Sequence, residues 1–367
     1  MSILNKIFTK SSILVPFVSI ILGLIVGAIA MLAGGFNPLL AYSSLVQKVF
    51  GTPYDIGETI RAISPLIFTG LAIAFAYRTG LFNIGAEGQF VMGMTGATII
   101  GVTLDLPWYI HAPLAIIVGA VFGGLWAAIA GYLKAKRGIN EVISSIMLNW
   151  IGLYLSNLIV SRWLVAQGQQ KSRPVKDSAM VTMDWLSSHM NNARVHWGIV
   201  VALVAVILFY VILWRTKLGY ELRAVGFNKD AALYAGMNVN RTIVKSMFIS
   251  GLFAGLGGAF EILGVFGYQV VMPASPGYGF DGIAVALLGG NTPIGVLLGA
   301  ILFGGLGYGA NGMSFEAGVP NEISRIVIGS IIFFVAAHGI VKFFLKPFFR
   351  TRSGKGKGDQ QGQKEAV

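Results

Sequence analysis

The sequence predicts an all-α polytopic membrane protein with about ten transmembrane segments, some of them broken. Three observations carry that reading. The chain of 367 residues is 55% hydrophobic and only 11% charged, with mean hydropathy +0.73, whereas a soluble domain is about a quarter charged. Its apolar residues fall in continuous blocks near the roughly 20 residues that a bilayer-spanning helix needs, rather than in the alternating pattern of a β-barrel. Lysine and arginine also gather on one side of the implied topology. With the N-terminus inside, 19 basic residues fall inside and 8 outside, which predicts cytoplasmic N- and C-termini. The net charge of +12 is therefore topological, and does not point to nucleic acid.

A basic head (1–12) precedes the first span, Ser11–Leu32. That run is longer than the 7–15 residues of a signal-peptide core, so it reads as uncleaved. Asn37–Gly57 is a mixed polar connection with a short helix, and Ile60–Tyr77 is the second span. A Gly-rich break over Arg78–Gln89 leads into Phe90–Leu104. His111–Leu133, Val142–Val160 and Trp197–Trp214 are further spans, and 161–196 is a long extracellular loop. Met247–Phe266 is Gly-rich, and Gly267–Gly279 is irregular. Phe280–Gly290 is too short to cross alone, Pro293–Ala310 follows, and Ile323–Leu345 is last. The permease body is 13–345, and 346–367 is a polar tail of disordered composition.

Polar residues at membrane depth cost roughly 2.5–3.5 kcal/mol each when charged, so each asks for a reason. Asn83, Glu87, Asn149, Trp150, Glu261, Tyr268, Gln269 and Asp281, with Phe266, are the candidates for a translocation path. The competing reading is that they satisfy backbone groups freed where helices break. That reading carries more weight for Asn83, Glu87 and Gln89, while both stand for Asn149, Glu261 and Asp281. Gly80–Gly85 (GLFNIG) and Gly279–Gly282 (GFDG) echo each other, each setting Phe then Asn or Asp beside glycines. Such paired breaks mark pseudo-inverted repeats.

The connection Arg215–Lys245 (215–245) holds six basic residues and a short helix signal. Asn228 suits the N-cap, Asp230 the positive end of the helix dipole, Ala231 and Ala232 the body, and Gly236 the stop. From Asn228 to Ala235 this makes about 12 Å of helix, a docking element in a cytoplasmic loop. With no cysteine, no GxxxxGK[ST] and no HExxH or triad pattern, the chain offers no nucleotide-hydrolysing loop, metal centre or enzyme site of its own.

Gly80–Gln89 (GLFNIGAEGQ), Gly219–Val239 (GYELRAVGFNKDAALYAGMNV) and Gly279–Pro293 (GFDGIAVALLGGNTP) resemble permease subunits of bacterial ABC importers. The matching branch is the branched-chain amino acid and ribose permease superfamily, and within it the nucleoside (guanosine-type) permeases. Gly57–Arg61 and Ser250–Ala259 extend the match. The resemblance implies a type II importer-like fold and a non-catalytic subunit of the bacterial plasma membrane. It also implies a cytoplasmic ABC ATPase that binds the ATP, a second homologous permease, and an extracellular substrate-binding lipoprotein. No cofactor is implied for this chain. The coupling surface would comprise Glu221, Arg223, Gly226, Asn228, Asp230, Ala231, Ala232 and Gly236. Simple sugars or branched-chain amino acids are the alternative cargo, and an ion-driven secondary transporter the alternative class.

Overall fold

The structure, a computed structural model, describes residues 11–337. The basic head up to residue 10 and the tail 346–367 lie outside the described residues. Fourteen α-helices follow one another among the described residues, with three isolated β-bridges and no strand. They are α1 Ser11–Ala33, α2 Pro38–Phe50, α3 Pro53–Tyr77, α4 Ala86–Thr103, α5 Trp108–Arg137, α6 Glu141–Ile159 and α7 Asp184–His189. Then come α8 Gly198–Arg215, α9 Lys217–Phe227, α10 Lys229–Tyr234, α11 Val239–Glu261, α12 Tyr278–Leu288, α13 Pro293–Glu316 and α14 Asn321–Ala336. α6 and α11 each end in a π-turn, at Val160–Leu164 and Ile262–Phe266. Among the described residues six helices are long and apolar enough to cross a membrane, and Val18–Ala33 and Tyr278–Leu288 are shorter apolar helices.

The chain forms two compact units, Met1–Tyr42 with Met313–Val367, and Ser43–Gly312. In the first, α1 packs on α14, and the Tyr42 hydroxyl donates to the Leu24 carbonyl at 2.5 Å. In the second, α3 and α11 form the centre, with 83% and 72% of their apolar windows buried, against 33% for α8 at the periphery.

Local chemistry sets the helix ends. Thr52 accepts the Asp55 amide at 3.1 Å and Pro53 opens the first turn, so α3 begins well before its apolar run. Gly138, at φ +64°, closes α5 just after Lys134, Lys136 and Arg137, which suit the negative end of its dipole. The structure adds a helix that the sequence reading passed over. α9 is too polar overall to read as a span, but it buries Gly219, Leu222 and Val225 on one side, and Thr216 caps it by accepting the Gly219 amide at 3.0 Å.

The glycines at 251, 255, 257 and 258 serve close packing. A Cβ on Gly255 would lie 2.7 Å from the Gly119 carbonyl oxygen and 2.9 Å from that of Ala120, so α11 and α5 touch backbone to backbone. Gly255→Leu is expected to cost about 1–3 kcal/mol by overpacking. Thermal unfolding in detergent checks this against Gly305→Leu, whose Cβ meets nothing within 4 Å.

Candidate functional site

The site begins where helix gives way to irregular backbone. α12 has 11 residues, about 16 Å of helix against roughly 30 Å of hydrocarbon, so it cannot cross alone. Gly282 lies against Thr69 and Val285 against Gly70, while Asn291 lies at Arg78, so α12 runs parallel to α3. The extended stretch 267–277 supplies the rest of this crossing, starting at the end of the unit that carries the 161–196 loop.

Irregular backbone is tolerated at such depth only where protein satisfies its polar groups. Here the partners are explicit. Gly267 and Gln269 accept from Val175 and Ser172 at 2.7 Å, and the Val271 amide donates to Gln170 at 2.9 Å. Asn157, from α6, accepts the Met272 amide at 2.9 Å and donates to the Met272 carbonyl at 2.7 Å. Glu87 then accepts the Gly277 amide at 2.6 Å and the Gly279 amide at 2.5 Å, placing a carboxylate at the positive end of α12. At the other end of α12, Arg78 Nε donates to the Asn291 carbonyl at 2.9 Å and Nη2 to that of Gly290 at 3.3 Å. Arg78 and Glu87, on either side of the short turn between α3 and α4, therefore hold the two ends of α12, each with the charge its dipole favours.

The turn 78–85 is satisfied in the same manner. Asn83 donates to Gln89 at 2.9 Å and to Ser250 at 2.7 Å, and its oxygen accepts the Gly85 amide at 2.9 Å. Asn149 accepts the Gly88 amide at 2.8 Å and donates to the Ile84 carbonyl at 3.0 Å. The two asparagines of α6 thus bind the two irregular stretches, one each. Asn157 and Arg78 were not among the site candidates. The eight-residue spacing of Asn149 and Asn157 was the available signal for the first.

A charged cluster sits nearer the 161–196 loop. Glu58 takes Arg194 Nε at 3.0 Å and Nη2 at 2.8 Å, and Arg61 Nε at 2.8 Å. Arg61 also lies 3.6 Å from Glu261, which accepts the Tyr278 hydroxyl at 3.1 Å. The Glu58 carboxylate raises the Arg194 guanidinium above its ordinary range. This network ties the loop to α3, α11 and α12. Beside it the His196 ring stacks on Phe260 with centroids 6.2 Å apart. Its Nδ1 accepts the Gly198 amide at 3.1 Å.

The remaining path candidates divide by location. Asn83, Glu87, Asn149, Glu261 and Gln269 are buried. Gln269 donates to Ser156 at 2.8 Å and to Thr95 at 3.2 Å. Trp150 and Phe266 are exposed, and Trp150 stacks on Tyr154 with centroids 6.3 Å apart. Tyr268 is half-buried beneath Lys171, 4.4 Å away. Asp281 is exposed in the first turn of α12.

The short helix of the 215–245 connection is α10. Asn228 caps it, accepting the Asp230 amide at 3.0 Å and the Ala231 amide at 2.9 Å, and Gly236 at φ +80° ends it. Asn228, Asp230 and Ala231 are exposed, while Ala232 is buried among Ala76, Leu81, Val225, Ile243 and Met247. Gly226 is a close-approach position, since its Cβ would lie 3.0 Å from the Thr79 Cα. Glu221 lies 4.0 Å from Lys217, and Arg223 turns to Trp214. The outer surface is instead Phe227, Leu233 and Tyr234, exposed by 90%, 63% and 96%. The sequence reading missed these three; large apolar residues in a polar, capped stretch were the signal.

A bundle of apolar helices with one discontinuous crossing and an exposed capped helix at one end defines a multi-pass membrane transport subunit. The family model described as branched-chain amino acid transport system / permease component matches residues 56–336. The chain belongs to that family. It is 50% identical over 335 residues to the guanosine ABC transporter permease protein NupP of Bacillus subtilis (strain 168), covering 91% of this chain and 96% of that protein. It is 38% identical to the nucleoside ABC transporter permease protein NupB of Lactococcus lactis subsp. cremoris, covering 95% and 98%. The glucose ABC transporter permease protein TsgB13 of Haloferax volcanii is 32% identical, covering 87% and 86%. The same three organisms each supply a second, more distant permease match at 27% identity.

Glu87→Ala strands one buried and one half-buried amide and is expected to lower stability by about 3 kcal/mol, with Glu87→Gln intermediate because one acceptor remains. Differential scanning fluorimetry of the purified chain ranks the three, and equal melting of Glu87→Ala and wild type would contradict the clamp. A second expectation concerns acid. Burial, helped by the Arg61 charge, pushes His196 from its ordinary 6.5 down to about 4. Between those values the unfolded chain takes up a proton that the folded one refuses. Stability therefore falls as pH drops, by up to about 1.4 kcal/mol per pH unit. Melting temperatures from pH 7 to 5 should decline more steeply for wild type than for His196→Phe.

Proposed function

We propose that this chain is the membrane-spanning permease subunit of an ATP-driven importer of nucleosides, working by alternating access. The observation that carries the cargo is the near full-length similarity to the guanosine permease, at 50% identity. The observation that supports the energy source is α10, a capped helix seated by Ala232 with Leu233 and Tyr234 turned outward, beside the exposed Phe227 that ends α9. In this reading a separate ABC ATPase binds the ATP and grips that surface, around Asn228, Asp230, Ala231 and Gly236. The chain itself is non-catalytic and needs no cofactor. ATP binding on the partner moves α10, and the motion reaches α12 through the Gly226 contact and Arg78.

The second permease matches in the relatives' organisms support a heterodimer of permeases, with a binding lipoprotein presenting cargo at the 161–196 loop. The basic-residue asymmetry supports N- and C-termini in the cytoplasm and residence in the bacterial plasma membrane. The permease body is 13–345, with 215–245 as its coupling loop. Among the path candidates, Trp150, Tyr268 and Asp281 offer aromatic and hydrogen-bonding surface suited to a flat, uncharged nucleoside. Asn83, Glu87, Asn149, Glu261 and Gln269 act chiefly on other protein groups. A sugar permease is the second reading, favoured by the 32% identity to the glucose permease.

Uptake competition in cells carrying the intact system separates these. Guanosine should compete and glucose, ribose and leucine should not; the reverse would overturn the cargo. Gradient-driven uptake by the chain reconstituted alone would instead make it a secondary transporter. Leu233→Glu with Tyr234→Ala is expected to cut ATPase co-purification by about tenfold or more while the chain still inserts. Ala232→Arg should act differently, unseating α10 from the bundle and lowering the melting temperature as well.

A further inference from the structure

A cavity of about 320 Å³ opens at the α10 end of the bundle, lined by Tyr77, Arg78, Trp214, Arg223, Gly226 and Phe227. Two guanidiniums face one indole there, Arg78 Cζ at 5.5 Å and Arg223 Cζ at 6.0 Å from the Trp214 ring centre. Arg78 spends Nε and Nη2 on the Asn291 and Gly290 carbonyls, and Arg223 makes one long Nε bond to the Gly219 carbonyl at 3.4 Å. Neither is paired with a carboxylate among the described residues. Two half-buried like charges on one cavity wall repel each other, and an anion between them removes that cost.

The surroundings select the anion. Trp214 ends α8, and the same face carries Leu203, Val204, Ile207, Tyr210 and Val211, all exposed and spaced as one helical stripe. Tyr210 stacks on Trp214 with centroids 5.5 Å apart, and Tyr77 ends α3 beside it. An exposed apolar stripe leading to aromatic rings and then to two arginines is ordered as a phospholipid is, acyl chain to headgroup. We propose that this cavity binds the phosphate of an anionic phospholipid, gripped by Arg78 and Arg223, with an acyl chain along α8. The volume admits a phosphate with its glycerol, and guanidinium forks match phosphate oxygens.

Native mass spectrometry of the full chain, delipidated and then supplied with equal phosphatidylglycerol and phosphatidylcholine, tests this. Wild type should retain phosphatidylglycerol preferentially, and Arg78→Gln with Arg223→Gln should cut that preference by about tenfold or more. Because Arg78 also holds α12, Arg223→Gln alone should show a partial loss that Arg223→Lys restores in part. Arg241→Gln, an exposed arginine outside the cavity, should leave the preference intact, and an equal loss there would overturn the site. Millimolar inorganic phosphate should leave the bound lipid in place; displacement would assign the cavity to free phosphate. If the arginine variants keep their lipid but lose a co-purifying subunit, the anion is a protein carboxylate and the proposal fails.

Discussion

Everything in the larger unit depends on how one 11-residue helix is held at both ends. α12 has too little length to reach both membrane surfaces, and side chains rather than further helix answer its terminal peptide groups. Glu87 supplies the acceptor at its start and Arg78 the donors at its finish. Arg78 follows α3 and Glu87 lies in the first turn of α4, so α3, α4 and α12 are tied to one another. Each charge sits where the helix dipole lowers the cost of keeping it out of water. The polar residues at membrane depth are thus first a solution to a backbone problem.

The spans were legible because continuous apolar runs have little other use, and most helices lie within a few residues of where hydropathy puts them. α3 and α11 begin earlier than the apolar pattern suggests, at Pro53 and Val239. Their first turns carry charges and caps that hydropathy counts against a span, although Asp55 is answered by Lys48 at 2.8 Å. α10 was legible because Asn228 and Gly236 are local signals. The clamp itself was not. Glu87 and Gly279 are far apart in sequence, and nothing local says that a carboxylate in one break serves the amides of another. The outward face of α10 was hidden for the opposite reason, since Leu233 and Tyr234 look like core residues until Ala232 is seen to be the one buried.

The two kinds of polar cluster divide the work along the bundle axis. Near the 161–196 loop, Glu58, Arg61, Arg194, Glu261 and Tyr278 bind a loop to three helices through opposite charges. Such pairs hold strongly while complete, and removing one partner leaves a buried charge. Toward α10 the turn 78–85 is held by the neutral amides Asn83 and Asn149, beside the charged Arg78 and Glu87 that hold α12.

The contact at Gly226 has a mechanical consequence. Its α-carbon lies so close to the Arg78–Thr79 backbone that no side chain fits between them, which leaves almost no slack. A push on α9 is therefore delivered to the residue whose side chain grips the end of α12, with no compressible layer between. Backbone pressed on backbone behaves as a rigid strut. Only two contacts, Gly226 on the Arg78–Thr79 backbone and the Arg78 side chain on the end of α12, separate α9 from the interrupted helix.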